Sequence, residues 1–143
     1  MEKCKNCENL ELIIKDLCYD DSFGMLTRNG LKYYMERNDF DYNYSIFIDF
    51  ISMSEMNREL GYYSVNDKIK CLFENEKESL IGRWFSGDEI VILTNNLDIV
   101  KRLVNKSKYL GLNFRSFSSE IKDCPIKFCY LDNLINNILK KEI

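Results

Sequence analysis

The chain has 143 residues, 45% hydrophobic and 13% aromatic, with 20 basic side chains against 23 acidic ones and a formal net charge of -3. This is enough for one domain with an ordinary core. No apolar run approaches the roughly 20 residues of a membrane span, and the acidic balance leaves no broad electrostatic footprint for nucleic acid. The opening residues, Met1-Glu2-Lys3-Cys4-Lys5-Asn6, contain no apolar core of a signal peptide, so a cytoplasmic protein with neither membrane nor nucleic-acid partner is expected.

Six cysteines stand at 4, 7, 18, 71, 124 and 129, and in a chain without an export signal they read as thiols. Cys4 and Cys7 have zinc-ligand spacing, but the sequence contains no histidine and the other cysteines fit no zinc module, so thiols remain the preferred reading.

Along the chain, Leu10, Ile13, Ile14 and Leu17 recur at helical intervals, predicting a short N-terminal helix before Asp20. Its stripe serves either as a dimerisation stalk or to dock on its own domain. Residues 29–37 read as a helix, and 44–50 as a strand apolar enough for burial on both faces. Residues 54–60 and 64–75 read as helices, and 80–84 with 89–93 as a hairpin. A helix over 97–110 follows, with Ile99, Leu103 and Leu110 on one side, then a strand over 113–117. Pro125 breaks the chain before a short strand at 126–130 and a closing helix at 131–140 that turns Leu134 and Ile138 inward.

The order βααββαβ, with flanking helices, predicts an α/β (α+β) ferredoxin-like palm: a central, mainly antiparallel sheet with helices around it. The N-terminal helix would occupy residues 1–20 and the domain proper 21–143.

Candidate chemistry concentrates at two places. Asp88 and Glu89 stand at a tight turn, Ser86-Gly87-Asp88-Glu89, between two apolar runs. Such a turn alone needs these residue types for conformational reasons. Asp49 closes the earlier apolar run Tyr44-Ser45-Ile46-Phe47-Ile48, with Asn57 eight positions beyond it and Gly61 following. Hard carboxylate oxygens on rigid elements suit a divalent metal and a polyphosphate.

In order and spacing these landmarks resemble the GGDEF family, the diguanylate cyclases that join two GTP molecules into cyclic di-GMP. The segment Asp21-Ser22-Phe23-Gly24-Met25-Leu26-Thr27-Arg28-Asn29-Gly30-Leu31 is similar to the family's opening motif, Asp-x-Leu-Thr-Gly-Leu-x-x-Arg. The resemblance covers residues 20–94 well, and the rest of the chain by its order of elements. It implies that Mg²⁺ or Mn²⁺ is held by Asp49, the Phe50 carbonyl, Asp88 and Glu89, with Asp88 and Glu89 catalytic. It also implies nucleotide contacts from Asn57, Asn66, Asp67, Ser86 and Gly87. The substrate would be a purine nucleoside triphosphate, GTP first, and the enzyme a homodimer, because each protomer offers one of the two nucleotides.

The departures open an alternative. Ile51 replaces the family's second aspartate, Ser54 its lysine, Asn66 the aspartate that faces guanine, Ser86 the first glycine and Ile90 the phenylalanine. No Arg-x-x-Asp precedes the turn, so feedback inhibition through that motif is not expected, and the late phosphate-binding lysine and arginine have no clear counterpart. The alternative is a degenerate, inactive domain that serves as a nucleotide-binding or protein-interaction module.

Overall fold

The computed structural model describes residues 9–10, 17–37, 41–85, 88–121 and 127–141. Its elements run β1 (Tyr19–Asp20), β2 (Met25–Leu26), α1 (Arg28–Met35), β3 (Tyr44–Phe50), α2 (Met53–Leu60), α3 (Tyr62–Phe73), β4 (Leu80–Arg83), β5 (Glu89–Thr94), α4 (Ile99–Leu110), β6 (Phe114–Glu120) and α5 (Lys127–Lys141). The six strands form one sheet in the order β1-β2-β4-β5-β3-β6. All pairings are antiparallel except β2 with β4. The palm with a mainly antiparallel sheet flanked by helices, expected above, is the architecture observed.

Strand alternation divides the core into two layers. On one face, Ile46, Ile48 and Phe50 of β3 pack with Ile90 and Ile92 of β5 against α3 (Val65, Ile69, Leu72) and α4 (Ile99, Leu103). On the other, Phe47, Val91 and Leu93 pack against α1 (Leu31, Met35) and α5 (Phe128, Leu131, Ile135). Helices therefore cover both sides of β3 and β5, which is why these strands read as unbroken apolar runs.

Three differences from the sequence reading have physical causes. The strand expected at 126–130 is helical over its described part, because α5 begins at Lys127. Lys127-Phe128-Cys129-Tyr130 alternates like a strand, but Phe128, Leu131 and Ile135 follow the helical period and are buried together. Strand β6 continues three residues past 117, because it pairs with the whole of β3 out to Tyr44↔Glu120. Its serine-rich end carries no apolar signal. The β1–β2 ribbon is an addition to the expected elements, and its strands have two residues each.

Of the N-terminal helix, Asn9, Leu10, Leu17 and Cys18 are described as helical, with Leu10 and Leu17 exposed. Ile13 and Ile14 lie outside the described residues, as do Cys4, Cys7 and Cys124. Cys18, Cys71 and Cys129 are free thiols. No helix of the described residues is long and apolar enough to cross a membrane.

Helix α1 is seated by its own first turn. Thr27 Oγ1 accepts from the Gly30 amide at 3.0 Å, capping the helix, and donates to the Leu17 carbonyl at 2.6 Å. Gly30 then runs so close to the backbone of Cys18 that a methyl group would collide with the Cys18 carbonyl. Gly30→Ala is expected to cost about 1–3 kcal/mol through this overpacking, despite alanine's better helix propensity. Urea denaturation of the two proteins measures it.

Candidate functional site

The end of β3 and the β4–β5 hairpin meet through backbone hydrogen bonds. The Phe50 amide donates to the Asp88 carbonyl at 2.9 Å, and the Trp84 amide to the Glu89 carbonyl at 2.9 Å. The two acidic segments singled out in the sequence are thus neighbours. Ser86 and Gly87, between them on the turn, lie outside the described residues.

After β3 the chain turns sharply. Ser52 takes a left-handed conformation (φ 64°), a region uncommon for a residue with a side chain, and its carbonyl starts α2 by accepting from the Met56 amide. Gly61 (φ 85°) then joins α2 directly to α3. This joint brings Asn57 of α2 and Asn66 of α3 to a common cleft of about 420 Å³, together with Ser54, Tyr62, Arg83 and Asp88. Phe23 and Met53 supply its apolar wall. A few polar groups converging on a partly apolar hollow are what a small-molecule site requires.

The Asn57 amide is unusual. Its Oδ1 is buried and has no hydrogen-bond partner among the described residues. Such an acceptor costs about 1–3 kcal/mol if nothing donates to it. Arg83 is held rigidly: its Nη1 bonds Asp20 Oδ2 at 2.6 Å, and its guanidinium lies 4.1 Å from the centre of the Phe23 ring. The β1–β2 ribbon therefore positions one wall of the cleft.

The remaining sequence candidates fall elsewhere. Asp67 is exposed on α3 and is not among the residues lining the cleft. Asp49 and Glu89 are direct partners across β3 and β5. By strand alternation they project with Phe47 and Val91 toward the face of α1 and α5. The Asp49 carboxylate is in addition engaged, accepting from Arg115 Nη2 at 2.7 Å. Arg115 is Asp49's register partner on β6.

These positions bear on the metal that the resemblance implied. Mg²⁺ demands near-octahedral oxygen ligands and loses water reluctantly. Asp88 is the one carboxylate among the described lining residues. Asp49 already has a guanidinium on it, and no three acidic or thiol side chains among the described residues gather as a metal-holding group. Among the described residues, the implied ligands are thus not gathered as a metal-holding group.

Sequence reasoning missed Arg83, Phe23, Tyr62 and Arg115 as parts of the site or its surroundings. Arg83 carried a signal: it shares a strand face with Ile81 beside the acidic turn, where alternation predicts a side chain turned toward the same helices. Arg115 carried none, since its partner is 66 positions away.

No protein-family profile matches the chain, and no curated protein matches its sequence. Solved structures do match. A microbial GGDEF domain described in a novel interaction mode with cyclic di-GMP is 19% identical, over 77% of this chain and 80% of that one, with a TM-score of 0.59. A diguanylate cyclase/phosphodiesterase from Caldicellulosiruptor saccharolyticus is 18% identical, over 76% and 78% of the two chains, with a TM-score of 0.58. The S helix-GGDEF-EAL portion of Vibrio cholerae LapD, bound to c-di-GMP, is 14% identical, with a TM-score of 0.64; the match covers 82% of this chain but only 32% of that one. The chain has a GGDEF-like fold.

Proposed function

We propose that this GGDEF-fold chain is a purine-binding module, a degenerate relative of the cyclases that keeps the base-reading end of the cleft and has lost the metal-and-triphosphate end. The observation that carries this reading is the buried, unpartnered Oδ1 of Asn57 in a cleft shared with Asn66. An amide pair offers both donors and acceptors to the edge of a purine. Tyr62 is 70% exposed at the cleft, so its ring face is open to stacking. The changes at the other end agree: Ser54 puts a hydroxyl where the family has a lysine, and Ile51 is exposed where the family has a second aspartate.

Calorimetric titration with guanosine, adenosine, cytidine and uridine tests the reading. Purines should bind at least ten-fold more tightly than pyrimidines, since a buried acceptor left unpaired by the wrong base is penalised. Equal affinities for all four would remove base recognition.

A second reading keeps the cyclase. It is supported by the Phe50–Asp88 hydrogen bond, which draws both acidic segments to one strand end. Here Asp88 and Glu89 would serve catalysis, and two purine triphosphates, GTP first, would meet across a homodimer with Mg²⁺ or Mn²⁺ supplying charge neutralisation at the phosphates. Incubation with each NTP and either metal, followed by mass analysis, separates the readings: a cyclic dinucleotide establishes the enzyme.

A further inference from the structure

We infer that Arg83 is a second reader of the base: its Nε donates to a ring nitrogen of the bound purine, while Asn57 Oδ1 accepts from an N–H of the same base. The inference rests on the purine reading above and names a further specificity-determining residue of that site.

The polar atoms left over in the cleft lead to it. Arg83 lines the same hollow as Asn57. Its Nε is buried and, like Asn57 Oδ1, has no hydrogen-bond partner among the described residues. The first atom can only donate and the second can only accept. The cleft thus holds one unmet demand of each sign, and a buried polar atom left unmet is costly whichever sign it has. A ligand that brings both an acceptor and an N–H removes both costs at once.

The Arg83 side chain is also aimed. Its Nη1 donates to Asp20 Oδ2 at 2.6 Å, and the guanidinium lies 4.1 Å from the centre of the Phe23 ring. One contact fixes an edge of the planar group and the other covers a face, so Nε keeps a single direction. Asp20 and Phe23 are then positioning residues. The two orphaned atoms also come from different walls. Arg83 stands on β4, Asn57 on the helix that follows β3, and β5 lies between those strands. At the usual strand spacing, β3 and β4 are roughly 10 Å apart. A purine presents ring-nitrogen acceptors and N–H donors at separate points of its rim, so one base can serve both walls.

The experiment titrates the full chain calorimetrically with adenosine and guanosine, then with deaza analogues of the better-bound nucleoside, in which a C–H replaces one ring-nitrogen acceptor. The proteins are the wild type and Arg83→Lys, which keeps a charge beside Asp20 but lacks Nε. In the wild type, one analogue should bind about ten-fold more weakly than its parent, the effect of losing one buried hydrogen bond. In Arg83→Lys the parent should weaken by about the same factor, and that analogue should bind as it binds the wild type. An analogue penalty that persists undiminished in Arg83→Lys assigns the ring nitrogen to another donor and overturns the role of Arg83. Equal binding of parent and analogues by the wild type overturns it too, and both results leave the purine reading standing. Because Arg83 also supports the β1–β2 ribbon, a second measurement uses the wild type alone. The Arg83 Nε–H proton resonance should move downfield at saturation with the parent nucleoside and much less with the penalised analogue; equal movement with both overturns the inference. Absence of binding by both nucleosides removes the purine reading and the inference with it.

Discussion

Ile92→Ala is expected to destabilise the protein by about 2–5 kcal/mol. Ile92 is fully buried on β5, opposite Ile46 on one side and Ile81 on the other. Helices cover its face, so the cavity left by truncation cannot collapse onto solvent. Against a total stability of roughly 5–15 kcal/mol for a domain, this is a substantial fraction. Equilibrium urea unfolding with an unchanged m-value measures it, and a loss below about 1 kcal/mol would mean that the strand is less tightly enclosed than its burial indicates.

Asn57→Leu is expected to act in the opposite sense on stability while removing function. Its Oδ1 is buried without a partner among the described residues, so an apolar replacement of similar size removes a desolvation cost of about 1–3 kcal/mol. The same change deletes the acceptor that a purine edge would use, and binding should fall by about 10- to 100-fold, in line with the loss of a buried hydrogen bond. Thermal unfolding of the free protein and calorimetry with the preferred purine nucleoside read the two effects separately. A melting temperature that rises while affinity falls is the signature of a residue kept for its ligand. If both fall together, Asn57 supports the fold and is not a reader.

The parts of the fold visible in the sequence are those whose signal is local. Strand β3 is legible from Tyr44 to Phe50 because its apolar run is continuous and both its faces are covered. Helices α2 and α3, expected over 54–60 and 64–75, begin and end within two residues of those bounds, since Gly61 interrupts an otherwise helical pattern. The β1–β2 ribbon is hidden, because two-residue strands are held by the neighbouring β4 and by the Asp20–Arg83 pair, not by their own sequence. Helix α5 reads too short because four alternating residues satisfy a strand pattern locally, and only the buried partners Leu31, Met35 and Trp84 on other elements select the helix.

The site divides in the same way. Asn57 and Asn66 are identifiable by spacing along a short segment, and spacing of this kind survives folding because two adjoining helices fix it. The acidic trio reads as one group because each member borders an apolar run, Asp49 closing one and Asp88 and Glu89 opening the other. Alternation then turns Asp49 and Glu89 to the face opposite the cleft, and a guanidinium from a distant strand engages Asp49. Which face a carboxylate takes depends on the register of the sheet, and its partner depends on topology. Neither is written in the local pattern.

Gly61 has no atom within 4 Å of where its side chain would be, yet it holds the backbone conformation that lets α3 start where α2 stops. A substitution there strains the joint without encountering a neighbour. Its effect would be a rotation of one amide relative to the other across the cleft. Position 61 is therefore a geometric constant of the cleft: a residue that contributes no side-chain contact and no charge, but sets the separation of Asn57 and Asn66.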